Sequence, residues 1–239
     1  MPGRWVVVVP VKDATAGKTR LSGALDDRSR TTLARAMALD TIAAAAACAA
    51  VGLVLVVTSD EVVARDAAET ARVAARGASA GAAVQVLPEP SHATARSGLD
   101  AAAVAGVEQA RRLAPAAPVA VLLGDLPALR PADLESALVL AGPHGRAMVA
   151  DEPGTGTTLL TVSGAATFDS RFGAGSARAH RELGYVLLDI PATSTLRRDI
   201  DLPADLGTLL TLLPGPRTAR LLDRLLPATG RTPGAEPGA

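Results

Sequence analysis

Trp5-Val6-Val7-Val8-Val9-Pro10-Val11-Lys12-Asp13-Ala14-Thr15-Ala16-Gly17-Lys18-Thr19-Arg20-Leu21 stands near the start of the chain. Trp5 to Val11 is apolar at every position, as a strand covered on both faces should be. Lys12 to Leu25 is polar and carries Gly17 and Gly23, so it reads as the loop leaving the strand's carboxyl end. Asp26 or Asp27 then caps a helix predicted to run to about Ala49. The loop is not a Walker phosphate loop. Gly17-Lys18-Thr19 is present, but the first glycine of that pattern would fall at Lys12. Nor is it a dinucleotide fingerprint, because only one glycine precedes Gly23. Lys12, Lys18 and Arg20 nevertheless follow a buried strand closely enough to converge on a triphosphate. A solvated basic loop would show the same pattern.

Outward from this stretch, strand and helix signals alternate. Strands are predicted at Leu53–Thr58, Ala83–Leu87, Val119–Leu123, Ala147–Ala150, Thr157–Val162 and Tyr185–Ile190. Helices are predicted from Asp60 to about Ala75, Leu99 to Leu113, after Pro131, over Ala177–Leu183 and over Leu202–Leu213. This order implies an α/β fold with one domain over residues 1–226. A mostly parallel central sheet would carry helices on both faces. Residues 227–239, rich in Pro, Gly and Thr, are expected to form a disordered tail. Ligands of such sheets gather beyond the strands' carboxyl ends. The loops at Lys12–Arg20, Asp60, Ser91–Gly98 and Gly124–Pro127 leave those ends.

Composition narrows the chemistry. Hydrophobic residues make up 49% of the 239 residues and aromatics only 2%, so the core is built from Ala, Val and Leu. The 24 basic and 24 acidic residues cancel, which argues against a nucleic-acid surface. Of the basic residues only Lys12 and Lys18 are lysines, compact charges suited to phosphate. A single cysteine, Cys48, and three scattered histidines exclude a disulfide framework and make a zinc site implausible. The longest apolar run, Ile42 to Val57, is shorter than a membrane span and changes character at Gly52. With no signal-peptide pattern, the expected location is the cytoplasm, with no membrane partner.

Three further constellations bear on chemistry. Gly124-Asp125-Leu126-Pro127 follows a buried strand, and Asp125 is placed to hold Mg²⁺ beside a phosphate; a turn aspartate bonding its own backbone is the other reading. In Asp199-Ile200-Asp201-Leu202-Pro203, one carboxylate can cap a helix while the other binds metal; both can equally be helix-start residues. Gly154-Thr155-Gly156-Thr157-Thr158 and Arg171-Phe172-Gly173-Ala174-Gly175-Ser176 offer hydroxyls and backbone N–H groups suited to a small anion. Ser176 is also a helix cap by type. No Gly-x-Ser-x-Gly elbow or Cys/His pair is present, and His180 has no patterned partner.

Taken in order, these motifs resemble the phospholactate and phosphoenolpyruvate guanylyltransferases of deazaflavin coenzyme (F-420) biosynthesis. Those enzymes belong to the superfamily that includes the molybdenum-cofactor guanylyltransferases. The resemblance runs from Trp5 to about Leu213. It implies a nucleotide-diphospho-sugar-transferase-like (GT-A-like) fold. It also implies transfer of GMP from GTP to phosphoenolpyruvate, giving enolpyruvyl-diphospho-guanosine and pyrophosphate. Lys12, Lys18 and Arg20 would sit at the triphosphate, Asp125 and Asp199 at magnesium, and Thr158, Gly173 and Ser176 at the phosphorylated acid. Gly98-Leu99-Asp100 stands where the family has Gly-Leu-Asn. Gly98 and Asp100 would face guanine, the aspartate accepting from N1–H and the amino group. The alternatives are 2-phospho-L-lactate or 3-phosphoglycerate as acceptor, another small-molecule nucleotidyltransferase, or a GTP-binding regulatory module. The sequence leaves monomer and homodimer equally open.

Overall fold

The computed structural model describes residues 4–14, 26–76, 81–90, 98–200, 209 and 211–225. β1 is Trp5–Val11, α1 Asp27–Ala47, β2 Val51–Thr58, α2 Glu61–Arg76, β3 Ala83–Pro88 and α3 Gly98–Leu113. β4 (Val119–Leu122), α4 (Pro131–Ala141), β5 (Arg146–Ala150), β6 (Thr157–Val162), α5 (Ser176–Glu182) and β7 (Val186–Leu187) follow, and α6 is Pro216–Leu225. The strands form one seven-stranded sheet in the order β3-β2-β1-β4-β6-β5-β7. β6 alone runs against the rest, pairing antiparallel with both β4 and β5.

The unbroken apolar character of β1 follows from its central place. Val7 and Val9 pack into one core with Leu39 and Ile42 of α1, Val63 of α2 and Leu134 of α4. Val6 and Val8 pack on the opposite face with Ala102, Ala103 and Val107 of α3. Each fully buried valine contributes roughly 1.5–3 kcal/mol of transfer free energy. α3 approaches β1 closely because Gly106 has no side chain; a Cβ there would collide with Val8 Cγ1. Val8 is branched at Cβ and fully buried, so it has no alternative position. Gly106→Ala is therefore expected to destabilise the protein by about 1–3 kcal/mol through overpacking, read as a lower urea midpoint. An unchanged midpoint would mean that α3 moves away from β1 at no cost.

Four differences from the sequence reading have local causes. β2 starts at Val51, not after Gly52, because Val51 N–H bonds Cys48 C=O and closes the turn early. Gly52 then lies in the strand, where a Cβ would press on Arg4. The last strand shrinks to Val186–Leu187 because the chain leaves the sheet after Leu188 N–H bonds Met148 C=O. α6 was not anticipated. Its first turn is capped from a distance by buried Asp40 of α1, which accepts from Arg217 N–H (3.2 Å) and Thr218 N–H (2.8 Å). Finally, Val149 pairs with Leu159 but Ala150 with Thr157, so Thr158 is the extra residue of a β-bulge. Most of the helix expected at Leu202–Leu213, and the tail, lie outside the described residues. Among the described residues no helix is long and apolar enough to cross a membrane.

Candidate active site

A cleft of about 640 Å³ opens where β1 and β4 end and β6 begins, a size suited to a small-molecule ligand. Lys12, the first residue past β1, lines one side. Asp60 N-caps α2, accepting from Val62 and Val63 N–H at 3.0 and 3.1 Å. The same carboxylate takes Ala14 N–H at 3.2 Å and Arg35 Nε at 2.9 Å. One buried side chain thus fixes the backbone two residues beyond Lys12. Burial pushes the Asp60 carboxyl up, but the Arg35 hydrogen bond, the Val63 and Ala14 N–H groups and the Arg35 charge outweigh it, and its pKa falls below 3.8. A depressed carboxylate pKa stabilises the fold fully above the unfolded value and loses that contribution as pH drops through the folded one. The stability gap between wild type and Asp60→Asn is therefore expected to narrow between pH 6 and pH 3 in urea unfolding. A constant gap would show that the ionised form of Asp60 adds nothing.

Gly124 and Asp125 line the floor of the cleft. The Thr41 hydroxyl holds their turn: it accepts from Leu126 N–H (3.1 Å), while its proton is shared between Met37 C=O (2.9 Å) and Gly124 C=O (3.3 Å). Ile200 N–H donates to Asp125 C=O at 3.1 Å, which brings Asp199 onto the same cleft wall. Arg197, just upstream, donates to the carbonyls of Asp151 (2.9 Å) and Glu152 (3.2 Å) and so braces this segment against the β5–β6 turn. Asp151 organises that turn, accepting from the N–H groups of Thr155 and Gly156, each at 2.8 Å.

The facing wall is the segment Phe172 to Ser176 with Thr155 to Thr157. Gly173 and Gly175 have φ of 131° and 73°, values that favour glycine. Three bonds pin the approach to this wall. Asp100 Oδ1 accepts from Ser170 Oγ (2.8 Å) and Phe172 N–H (3.0 Å), and His180 Nε2 accepts from Arg171 N–H (2.9 Å). His180 is fully buried. Burial pushes its pKa down to about 4, against the pull of the Asp100 and Asp169 charges, so the ring is neutral. Its Nδ1 lies 2.9 Å from Thr157 Oγ1.

The structure thus brings Lys12, Asp125, Asp199, Gly173 and Ser176 to one cleft. Lys18, Arg20 and Asp201 lie outside the described residues. Leu99, not Gly98 or Asp100, lines the cleft beside α3. Asp100, expected at the base, instead turns Oδ1 to the Ser170–Phe172 loop. Asparagine offers the same accepting oxygen, so aspartate can replace it in that role. Thr158 is 1% exposed and does not line the cleft. Its hydroxyl has no hydrogen-bond partner among the described residues.

The family profile described as "Guanylyl transferase CofC like" matches residues 5–85. A phosphoenolpyruvate guanylyltransferase of Sanguibacter keddieii is 46% identical, over 92% of this chain and 84% of its own length. One from Streptomyces coelicolor is 44% identical, over 93% of this chain and 98% of its own. The chain belongs to this guanylyltransferase family. The fold agrees: a nucleotide-diphospho-sugar transferase from Desulfovibrio desulfuricans superposes with a TM-score of 0.63 at 17% identity, covering 93% of this chain and 96% of its own. A 4-diphosphocytidyl-2C-methyl-D-erythritol synthase superposes at 0.53 and 16%, covering 88% and 99%. Within this family frame, Arg35, Asp151 and His180 are cleft-building residues that motif reading missed, and Asp60, placed by it at a strand's carboxyl end, builds the cleft through Arg35 and Ala14. Asp60 and Arg35 meet across 25 residues of sequence and His180 reaches Thr157 across 23, whereas Asp151 acts within its own turn.

Proposed function

We propose that the chain transfers GMP from GTP to phosphoenolpyruvate, in the cytoplasm. The observation that carries this reading is that the candidate groups share one cleft. Cationic Lys12 and the carboxylates of Asp125 and Asp199 line it together with Gly173 and Ser176, in a chain whose relatives bear that name. An oxygen of the acceptor phosphate attacks the α-phosphorus of GTP, a new phosphoanhydride bond forms, and the bond to the β-phosphate breaks to release pyrophosphate. The acceptor phosphate is ionised near neutral pH, so no strong general base is needed. Alignment and charge neutralisation supply the catalysis.

Lys12, with Lys18 and Arg20 by motif position, is assigned to the triphosphate and the leaving pyrophosphate. Asp125 and Asp199 fit Mg²⁺: hard carboxylate oxygens on one wall, to be completed by substrate phosphates and water. The ion, when bound, would neutralise charge on the phosphates. Gly98 and Leu99 are assigned to the guanine side. Gly173, Ser176 and Thr158 are assigned to the acceptor. An unpartnered buried hydroxyl such as that of Thr158 is costly, and a ligand reaching the bulge would relieve it.

The test is pyrophosphate release from each of the four nucleotides with phosphoenolpyruvate, 2-phospho-L-lactate and 3-phosphoglycerate, with mass identification of the product. GTP with phosphoenolpyruvate is expected to be fastest. GTP binding without pyrophosphate release from any acceptor would replace the transferase reading with a regulatory one.

A further inference from the structure

Behind the acceptor wall lies a chain of polar groups that the reaction as described does not use. His180 sits between two hydrogen bonds, Arg171 N–H to Nε2 at 2.9 Å and Thr157 Oγ1 to Nδ1 at 2.9 Å. A backbone N–H can only donate, so Nε2 must be the unprotonated nitrogen. In a neutral ring the proton is then on Nδ1, and it donates to Thr157 Oγ1. The Ser176 hydroxyl is 3.3 Å from the same oxygen and donates to it. Thr157 Oγ1 therefore accepts twice, and its own proton is left to point elsewhere. Thr157 and Ser176 both line the cleft. Reversing the Ser176–Thr157 bond leaves the Ser176 proton facing the cleft instead. Either arrangement leaves one hydroxyl proton of the pair unused by these partners.

The ring itself cannot turn to undo this polarity. Phe172 and Tyr185 pack edge-on against it with centroids at 5.1 and 5.7 Å. A ring flip would aim Nδ1–H away from Thr157 and leave the Arg171 N–H without its acceptor.

We infer that Thr157 is a further acceptor-binding hydroxyl, beside those of Ser176 and Thr158, and that His180 is its positioning residue, directing the Thr157–Ser176 pair to donate to the phosphate or carboxylate of the acceptor acid. The acceptor's identity rests on the proposed function; the hydrogen-bond direction does not. The neutral ring adds no charge of its own to the pocket, so the subsite recognises the anion by aligned dipoles.

Two measurements test this. The imidazole tautomer of His180, read by long-range ¹⁵N–¹H NMR on the unliganded chain at neutral pH, is expected to be Nδ1–H; an Nε2–H ring or an imidazolium overturns the inference. Steady-state kinetics then compare Thr157→Val, Thr157→Ser, His180→Ala and His180→Asn. Thr157→Val is expected to raise the KM for phosphoenolpyruvate by about tenfold or more, the size of a hydrogen bond to a charged group, with the KM for GTP unchanged. Thr157→Ser keeps the donor and is expected to undo most of the rise in phosphoenolpyruvate KM that Thr157→Val causes. His180→Ala should shift the same KM, and His180→Asn, whose amide nitrogen can replace Nδ1–H, should recover much of it. Equal changes for both substrates, or lower melting temperatures with both KM values unchanged, would reduce the chain to packing and overturn the inference. A wild type that releases no pyrophosphate with any acceptor rejects the proposed function instead, while the tautomer still decides the hydrogen-bond direction.

Discussion

Asp125→Asn is expected to lower kcat by about 10²–10³-fold or more, because a neutral amide oxygen replaces a carboxylate where phosphate charge must be offset. Stability should change little. The Gly124–Leu126 turn is held by the Thr41 hydroxyl and by Ile200 N–H at the Asp125 carbonyl, none of which involves the carboxylate. Pyrophosphate release at saturating GTP, phosphoenolpyruvate and Mg²⁺, alongside a melting curve, separates the two effects. Equal kcat in the variant would remove Asp125 from the metal site.

Lys12→Met should have the next largest effect, about 10²-fold on kcat/KM for GTP. Methionine keeps the unbranched stem and removes only the charge. Lys12 is exposed at the cleft rim, so the fold does not depend on its ammonium. Its backbone position comes from the Asp60 bond to Ala14 N–H, which the substitution leaves intact. A kcat/KM within about twofold of wild type would place the triphosphate elsewhere.

The sheet and its cleft were largely legible from sequence because buried parallel strands announce themselves as unbroken apolar runs. Trp5–Val11 and Val119–Leu122 are such runs, and the groups that line the cleft follow directly after them. The reversal of β6 was not legible. Thr157–Val162 is buried on both faces, so nothing in its pattern records its direction. Whether Thr157 or Thr158 meets the cleft depends on a bulge, which alternation cannot reveal. His180 looked solitary because its partners are a hydroxyl and a backbone N–H brought close by folding. Asp40 carries no local signal of its role, because the turn it caps lies 177 residues away.

On the proposed assignment, the lone reversed strand separates the two substrates' contacts along the chain. Since β6 enters the cleft at its beginning, the groups facing the acceptor fall in one contiguous stretch from Asp151 to Ser176. The triphosphate is served by separate segments after β1 and β4. Replacing Asp151–Ser176 as one block with the matching stretch of a relative is therefore expected to change the acceptor preference and leave the KM for GTP unchanged. Such a graft must keep the Ser170 hydroxyl and the Phe172 N–H, because Asp100 on the unexchanged framework is the clasp that receives both.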